Sequence, residues 1–190
     1  MIIWLIIVIV SVAADQITKA MVDAGFELGG SLELIPGVLR LTYIRNEGAA
    51  FGMLAEHRWV FIVLSLAAIA GIVFYVIRYR PKSRWVMCSL SLIAAGGIGN
   101  MIDRLRLGYV IDFVDFYAFG KLWTWIFNIA DACVCVGAFM LLLVLVIDTV
   151  REGRKNASET PEGNTVETGS RQERDQSEDT AGAQRNGKDE

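Results

Sequence analysis

Four stretches of this chain are long and apolar enough to cross a bilayer, roughly Ile2–Val22, Trp59–Ile77, Trp85–Leu105 and Trp125–Ile147. A span needs about 20 consecutive apolar residues. Inside lipid every backbone polar group must be satisfied within the segment, so such stretches fold as helices. The mean hydropathy of +0.43 averages two regimes. Residues 1–150 are mostly apolar runs, whereas 151–190 form a charged segment with no aromatic residue. That tail has too little apolar surface to offset its ordering entropy and is predicted to be a disordered cytoplasmic appendage. The first stretch lacks a basic leader, and Asp15 and Lys19 interrupt the place of a cleavage site. It reads as an uncleaved span.

Basic residues orient the spans. The link "RYRPKSR" carries Arg78, Arg80, Lys82 and Arg84, and the exit from the fourth span carries Arg151, Arg154 and Lys155. Both are expected on the cytoplasmic side. Residues of about 23–58 and 106–124 then lie outside. In the first of these, Ser31–Ile44 alternates apolar and polar residues around Pro36-Gly37, the pattern of a hairpin. The second mixes aromatics with Asp112 and Asp115 and reads as a strand or a short amphipathic piece.

The costly residues converge at one depth. At ~1.5 Å per residue, Asp15 and Lys19 lie about 20–25 Å from the inner end of the first span. Asn100, Asp103 and Arg104 lie about 22–29 Å from Trp85, and Asn128 and Asp131 about 24–29 Å from Ile147. Asn46 and Asp112 sit in the outer segments. Taken singly, each has a structural explanation. Lys19 can snorkel to headgroups, Asp103 and Arg104 can form an interfacial pair, and Asn100 and Asn128 can join helices. Gly96, Gly97 and Gly99 can serve close helix packing. As a set at one level, they point to a site.

Carboxylate is the abundant reactive group. The chain has no phosphate-binding loop, no nucleophile elbow and no histidine cluster for zinc, and its one histidine, His57, sits at a helix start without an evident partner. Cys88, Cys133 and Cys135 lie in apolar runs and read as buried small residues. No metal and no cofactor is expected, and nothing suggests nucleic acid. Two carboxyls sharing a site hold one proton between them and can carry out hydrolysis. Asp131 would be one, and the spacing leaves Asp112 and Asp115 as alternatives for the other. A small proton-coupled transporter is the competing reading, but the inner halves of the spans lack the acids a pathway requires. A third is an assembly factor with a polar helix interface.

With these residues in view, the chain resembles the lipoprotein (type II) signal peptidases. "DQITK" (Asp15–Lys19), "NEGAAFG" (Asn46–Gly52), "GGIGNMIDR" (Gly96–Arg104), "GYVIDF" (Gly108–Phe113) and "FNIAD" (Phe127–Asp131) are similar to that family's motifs, in order. The resemblance implies an all-α integral membrane fold of four transmembrane helices with a small external β-cradle and a short periplasmic helix. It implies a bacterial cytoplasmic (inner) membrane location with the active site at the outer leaflet. The implied reaction removes the signal peptide from diacylglyceryl-modified prolipoproteins, before the lipidated cysteine. Membrane lipids and globomycin-type inhibitors are the implied further partners, and a monomer is expected. The "VIDF" context selects Asp112, so the resemblance makes Asp112 and Asp131 the catalytic pair. It gives Asn46, Asn100, Arg104 and Asn128 positioning roles, and Asp15, Lys19 and Asp103 structural ones.

Overall fold

The structure is a computed structural model and describes residues 2–48, 58–118 and 126–159. Residues Met1–Ile147 form one compact unit. Its helices are α1 (Ile2–Gly25), α2 (Arg58–Tyr79), α3 (Arg84–Arg106) and the start of α4 (Ile129–Glu159). Four strands, β1 (Ser31–Ile35), β2 (Leu39–Asn46), β3 (Val110–Phe116) and β4 (Ile126–Phe127), make one antiparallel sheet in the order β1-β2-β3-β4. The remaining segment, from Asp148 on, is described as the end of α4 through Glu159.

The burial pattern of α1 is inverted relative to a helix in water. Its buried residues are Asp15, Lys19 and Val22, spaced to share one face, while Ile2, Leu5, Ile9, Ile17 and Met21 are exposed. Such a surface is stable only against lipid. All four helices are long and apolar enough to cross a membrane. α3 is the most buried of them and packs against both α1 and α2.

Glycine brings α3 against α4. A Cβ on Gly96 would lie 2.2 Å from the Ala130 carbonyl oxygen, and one on Gly99 would lie 2.6 Å from Asp15 Oδ2. Further along, a Cβ on Gly137 would lie 2.7 Å from the Ser89 carbonyl oxygen. Gly97, in contrast, faces Ile69 of α2 with room for a methyl group, its nearest atom at 3.7 Å.

The hairpin expected over Ser31–Ile44 is β1–β2, with β2 running on to Asn46. Val38 N–H donates to the Ile35 carbonyl at 3.0 Å, with Pro36 and Gly37 (φ +76°) between them. Proline then glycine at these places suits a type II turn. The label all-α understates the sheet. The outer segment 106–124 contributes β3, which pairs with β2 on one side and β4 on the other. The short helix expected there has no place in 107–118, and residues 119–125 lie outside the described residues. The fourth helix begins at Ile129 and not at Trp125. Ile126 and Phe127 are taken by pairing with Asp115 and Val114, and helix starts only after Asn128. At its other end α4 reaches Glu159, into the stretch expected to be unstructured from 151. Once nucleated in the span, the helix runs on by adding one hydrogen bond per residue, which composition alone does not register. His57, Trp123 and Trp125 lie outside the described residues.

The packing predicts opposite outcomes for neighbouring glycines. Gly96→Val should cost roughly 1–3 kcal/mol or more through backbone overpacking, read as a lower thermal midpoint in detergent. Gly97→Ala should leave that midpoint nearly unchanged.

Candidate active site

The largest side chains buried to below 2% exposure are all polar: Lys19, Asn128, Asp15, Asp112 and Ser89. Four of them belong to one network. Lys19 Nζ lies 2.9 Å from Asp15 Oδ2, 2.9 Å from Asp103 Oδ2 and 2.9 Å from Asn100 Oδ1. An ammonium has three protons and no acceptor, so these three oxygens satisfy it completely. Lys19 therefore does not snorkel, and Asp103 pairs with it and not with Arg104.

Each asparagine is turned by the partner of its oxygen. Asn100 Oδ1 accepts from Lys19, so its amide nitrogen faces away and donates to Asp131 Oδ1 at 2.7 Å. Asn128 caps α4. Its Oδ1 accepts the Asp131 N–H at 2.9 Å, while Asp131 Oδ2 accepts the Asn128 N–H at 3.3 Å. This is the reciprocal capping box, in which the N-cap and third helical residues satisfy each other. The Asn128 amide nitrogen then faces Asp112 Oδ1 at 2.6 Å, with Asn100 Oδ1 at 3.1 Å and the Ile111 carbonyl at 3.3 Å also near. Asn46 Oδ1 accepts the Gly48 N–H at 3.1 Å, which leaves its nitrogen to donate to Asp112 Oδ2 at 2.9 Å.

The sheet determines which aspartate joins this cluster. Ile44 lies opposite Asp112, and Asn46, two residues on, shares the face of Ile44. Asn46 and Asp112 are thus diagonal neighbours on one face of the sheet. Asp115 is three residues from Asp112, so it points to the other face. There it meets Arg40, directly opposite, at 2.5 Å, and Thr42 at 3.1 Å. The choice the spacing left open falls on Asp112.

Two contacts tie the helix carboxylates to their neighbours. Asp103 Oδ2 accepts the Ile111 N–H of β3 at 3.2 Å, and Asp15 Oδ1 accepts the Ala130 N–H in the first turn of α4 at 2.9 Å. Arg104 lies at the edge. It donates to the carbonyls of Asn100 at 3.3 Å and Gly48 at 3.4 Å, and its guanidinium sits 4.7 Å from the Phe61 ring centre. All nine residues singled out from the sequence, including Asn46 and Arg104, thus meet in one connected cluster. Gln16 was not among them. Its nitrogen donates to Asp103 Oδ1 at 2.9 Å and reaches Asp15 Oδ2 at 3.2 Å and the Gly99 carbonyl at 3.3 Å. Its spacing of three from Lys19 was the available signal.

The environment sets the chemistry of Asp112. Burial pushes its carboxyl up to about 7, and the charge of Asp131 adds to this, while hydrogen bonds from Asn46 and Asn128 and the charge of Lys19 pull the other way. A carboxyl there exchanges its proton near neutral pH, whereas an ordinary aspartate has lost it. Among the described residues no group of His, Cys, Asp and Glu comes together as a metal would require.

Comparison with known proteins gives the family. The family profile described as signal peptidase (SPase) II matches residues 7–147. The chain belongs to the signal peptidase II family. A lipoprotein signal peptidase of Geobacter metallireducens is 42% identical over 157 residues, covering 81% of this chain and 96% of that protein. One from Bacillus subtilis is 37% identical over 152 residues, covering 80% and 98%. Among solved structures, a bacterial membrane enzyme determined by the in meso method aligns with TM-score 0.74 at 31% identity, covering 87% of this chain and 96% of that one. Signal peptidase II proteins are membrane aspartic endopeptidases, so this chain is a multi-pass membrane enzyme, and the transporter reading falls away.

Lys19→Met should leave Asp15 and Asp103 buried without their cation. The expected loss of stability is about 3–5 kcal/mol. Thermal unfolding in detergent checks it, and the loss should be much larger than for Asp115→Asn, whose partner Arg40 is partly exposed.

Proposed function

We propose that the chain removes signal peptides from diacylglyceryl-modified prolipoproteins, cutting before the lipidated cysteine, with Asp112 and Asp131 as the catalytic pair. The relatives' name, lipoprotein signal peptidase, supports the substrate class. The observation that carries the catalytic assignment is the Asn128 side chain. Its nitrogen holds the Asp112 carboxyl at 2.6 Å while its oxygen holds the Asp131 backbone N–H at 2.9 Å, so one amide ties both aspartates to the same residue.

Asp112 starts protonated and Asp131 ionised. Asp131 sits in the first turn of α4, where the helix dipole favours negative charge. It takes a proton from water as the water oxygen adds to the scissile carbonyl. Asp112 gives its proton to the carbonyl oxygen, which becomes a hydroxyl of the tetrahedral intermediate. The C–N bond then breaks as one aspartate protonates the leaving amine and the other recovers the hydroxyl proton. The pair again holds one proton, so the cycle closes. Asn46, Asn100 and Asn128 hold the carboxyls in place, with Arg104 beside them to position the peptide. Asp15, Lys19 and Asp103 keep the helices in register.

The location follows from the same reading. The basic links favour an orientation with the sheet on the outer side, which in the bacterial cytoplasmic membrane of the proposed reaction would be a cradle over the pair. The substrate's diacyl anchor holds its scissile bond at the outer leaflet, near the level of the pair. Anchoring confines the search to the membrane plane and raises the effective concentration.

The test is cleavage of a diacylated prolipoprotein by purified protein in detergent, with chelator present. Asp112→Asn and Asp131→Asn should each lower the rate by about 10²–10⁴-fold with little change in thermal midpoint. An Asp131→Asn variant that cuts near the wild-type rate would leave Asp131 as a helix cap only and end this reading. In the wild type, the protonated Asp112 is the active form. The rate should therefore fall as pH rises through about 7, the value burial gives that carboxyl.

A further inference from the structure

Further along the sheet from the pair, the end of β2 and the start of β3 open into a cavity of about 420 Å³ lined by Glu47, Arg58, Trp59, Leu107, Gly108 and Tyr109. It brings a carboxylate, a guanidinium and two aromatic rings to one place. Gly108 makes room for it. Its φ is +90°, and a Cβ there would stand 2.9 Å from Arg58 Nη1. The backbone conformation therefore calls for glycine, and any Cβ would displace the end of the Arg58 side chain. Arg58 also lies 5.3 Å from the Trp59 ring centre, and Arg45 lies 4.8 Å from that of Tyr109. None of these side chains has a part in the catalytic cycle above.

We propose that this cavity is a subsite for the mature side of the substrate, the residues that follow the lipidated cysteine, and that Glu47 and Arg58 read their charge. The inference rests on the function proposed above. Its basis is the position of the cavity along the strands. Glu47 directly follows Asn46, which holds Asp112, and Tyr109 lies three residues before Asp112 on β3. At ~3.3 Å per residue, the cavity begins about 10 Å from the reacting carboxyl. An extended substrate covers that length in about three residues, so the second to fourth residues of the product arrive there. The direction is the outward one. Arg58 and Trp59 begin α2 and Leu107 to Tyr109 follow α3, the helix ends opposite the basic "RYRPKSR" link. The signal peptide's apolar segment remains in the membrane, and only the mature segment leaves on this side. Ionic and aromatic walls suit a polar polypeptide, whereas acyl chains have the exposed apolar faces of the helices.

The experiment compares diacylated substrates identical except for Asp, Ala or Lys at the third residue of the product. The kcat/KM ratio of the Asp to the Lys substrate is measured at low ionic strength, where charge effects are least screened. Arg58→Glu should shift that ratio at least about tenfold toward the Lys substrate, and Glu47→Lys should shift it toward the Asp substrate. Arg58→Gln, the milder change, should move it in the same direction as Arg58→Glu by less, and it decides the matter if Arg58→Glu fails to fold. Ratios unchanged within about twofold in folded variants overturn the subsite. So does an equal loss on all three substrates that tracks the anionic lipid content of the bilayer, since the cavity would then hold a lipid headgroup. A wild-type protein that cleaves none of the three overturns the proposed function itself, whereas cleavage with fixed ratios overturns only this inference.

Discussion

A lysine ammonium buried among apolar helices is the constraint on which the rest of this structure depends. Lys19 is 2% exposed, and its three donors are satisfied there only because oxygens of Asp15, Asp103 and Asn100 surround it. Removing any of them from this enclosed site would leave an ammonium N–H without its acceptor. The cluster therefore specifies one relative placement of α1 and α3. It also reaches beyond those helices, since Asp15 caps the first turn of α4 and Asp103 holds the backbone of β3. A membrane interior supplies no water to forgive a shifted polar group, so satisfaction and register become the same requirement.

Orientation passes outward from that cation. Lys19 takes the oxygen of Asn100, which turns the Asn100 nitrogen toward Asp131. The backbone of α4 takes the oxygen of Asn128, which turns the Asn128 nitrogen toward Asp112. The Gly48 N–H does the same for Asn46. An asparagine amide can flip by half a turn, and a flipped one would present oxygen to a carboxylate. Here each flip is blocked by a donor on the far side. The carboxyls thus meet fixed hydrogen-bond donors, and in the proposed reaction this is the preorganisation that lowers the cost of charge rearrangement in a transition state.

The small glycine contacts serve the same end. Gly99 admits Asp15 beside Ala130, and Gly96 admits the backbone of Ala130 itself. Any side chain at either place would push the start of α4, and with it Asp131, away from Asn100. Packing and site geometry are thus one problem in this protein, solved at the α3–α4 contact.

Much of this could be read from residues alone, for definite reasons. Span lengths follow from bilayer thickness, so four helices were legible, and charged residues inside apolar runs are rare enough that their common depth marked a site. The Pro36-Gly37 turn and its alternating flanks announced the hairpin. What the chain order could not decide was which polar group faces which. Asp112 and Asp115 look equivalent in "IDFVDF" and are separated only by strand pairing, which sends residues three apart to opposite faces. Lys19 could as well have snorkelled, and Asp103 could have taken Arg104, because both choices depend on a neighbour supplied by another helix. The start of α4 moved from Trp125 to Ile129 because β3 claims the residues before it. Hydropathy and spacing are properties of one segment and were determined by the sequence itself. Partner choice, amide orientation and strand register depend on two or more segments at once, and only the tertiary structure decided them.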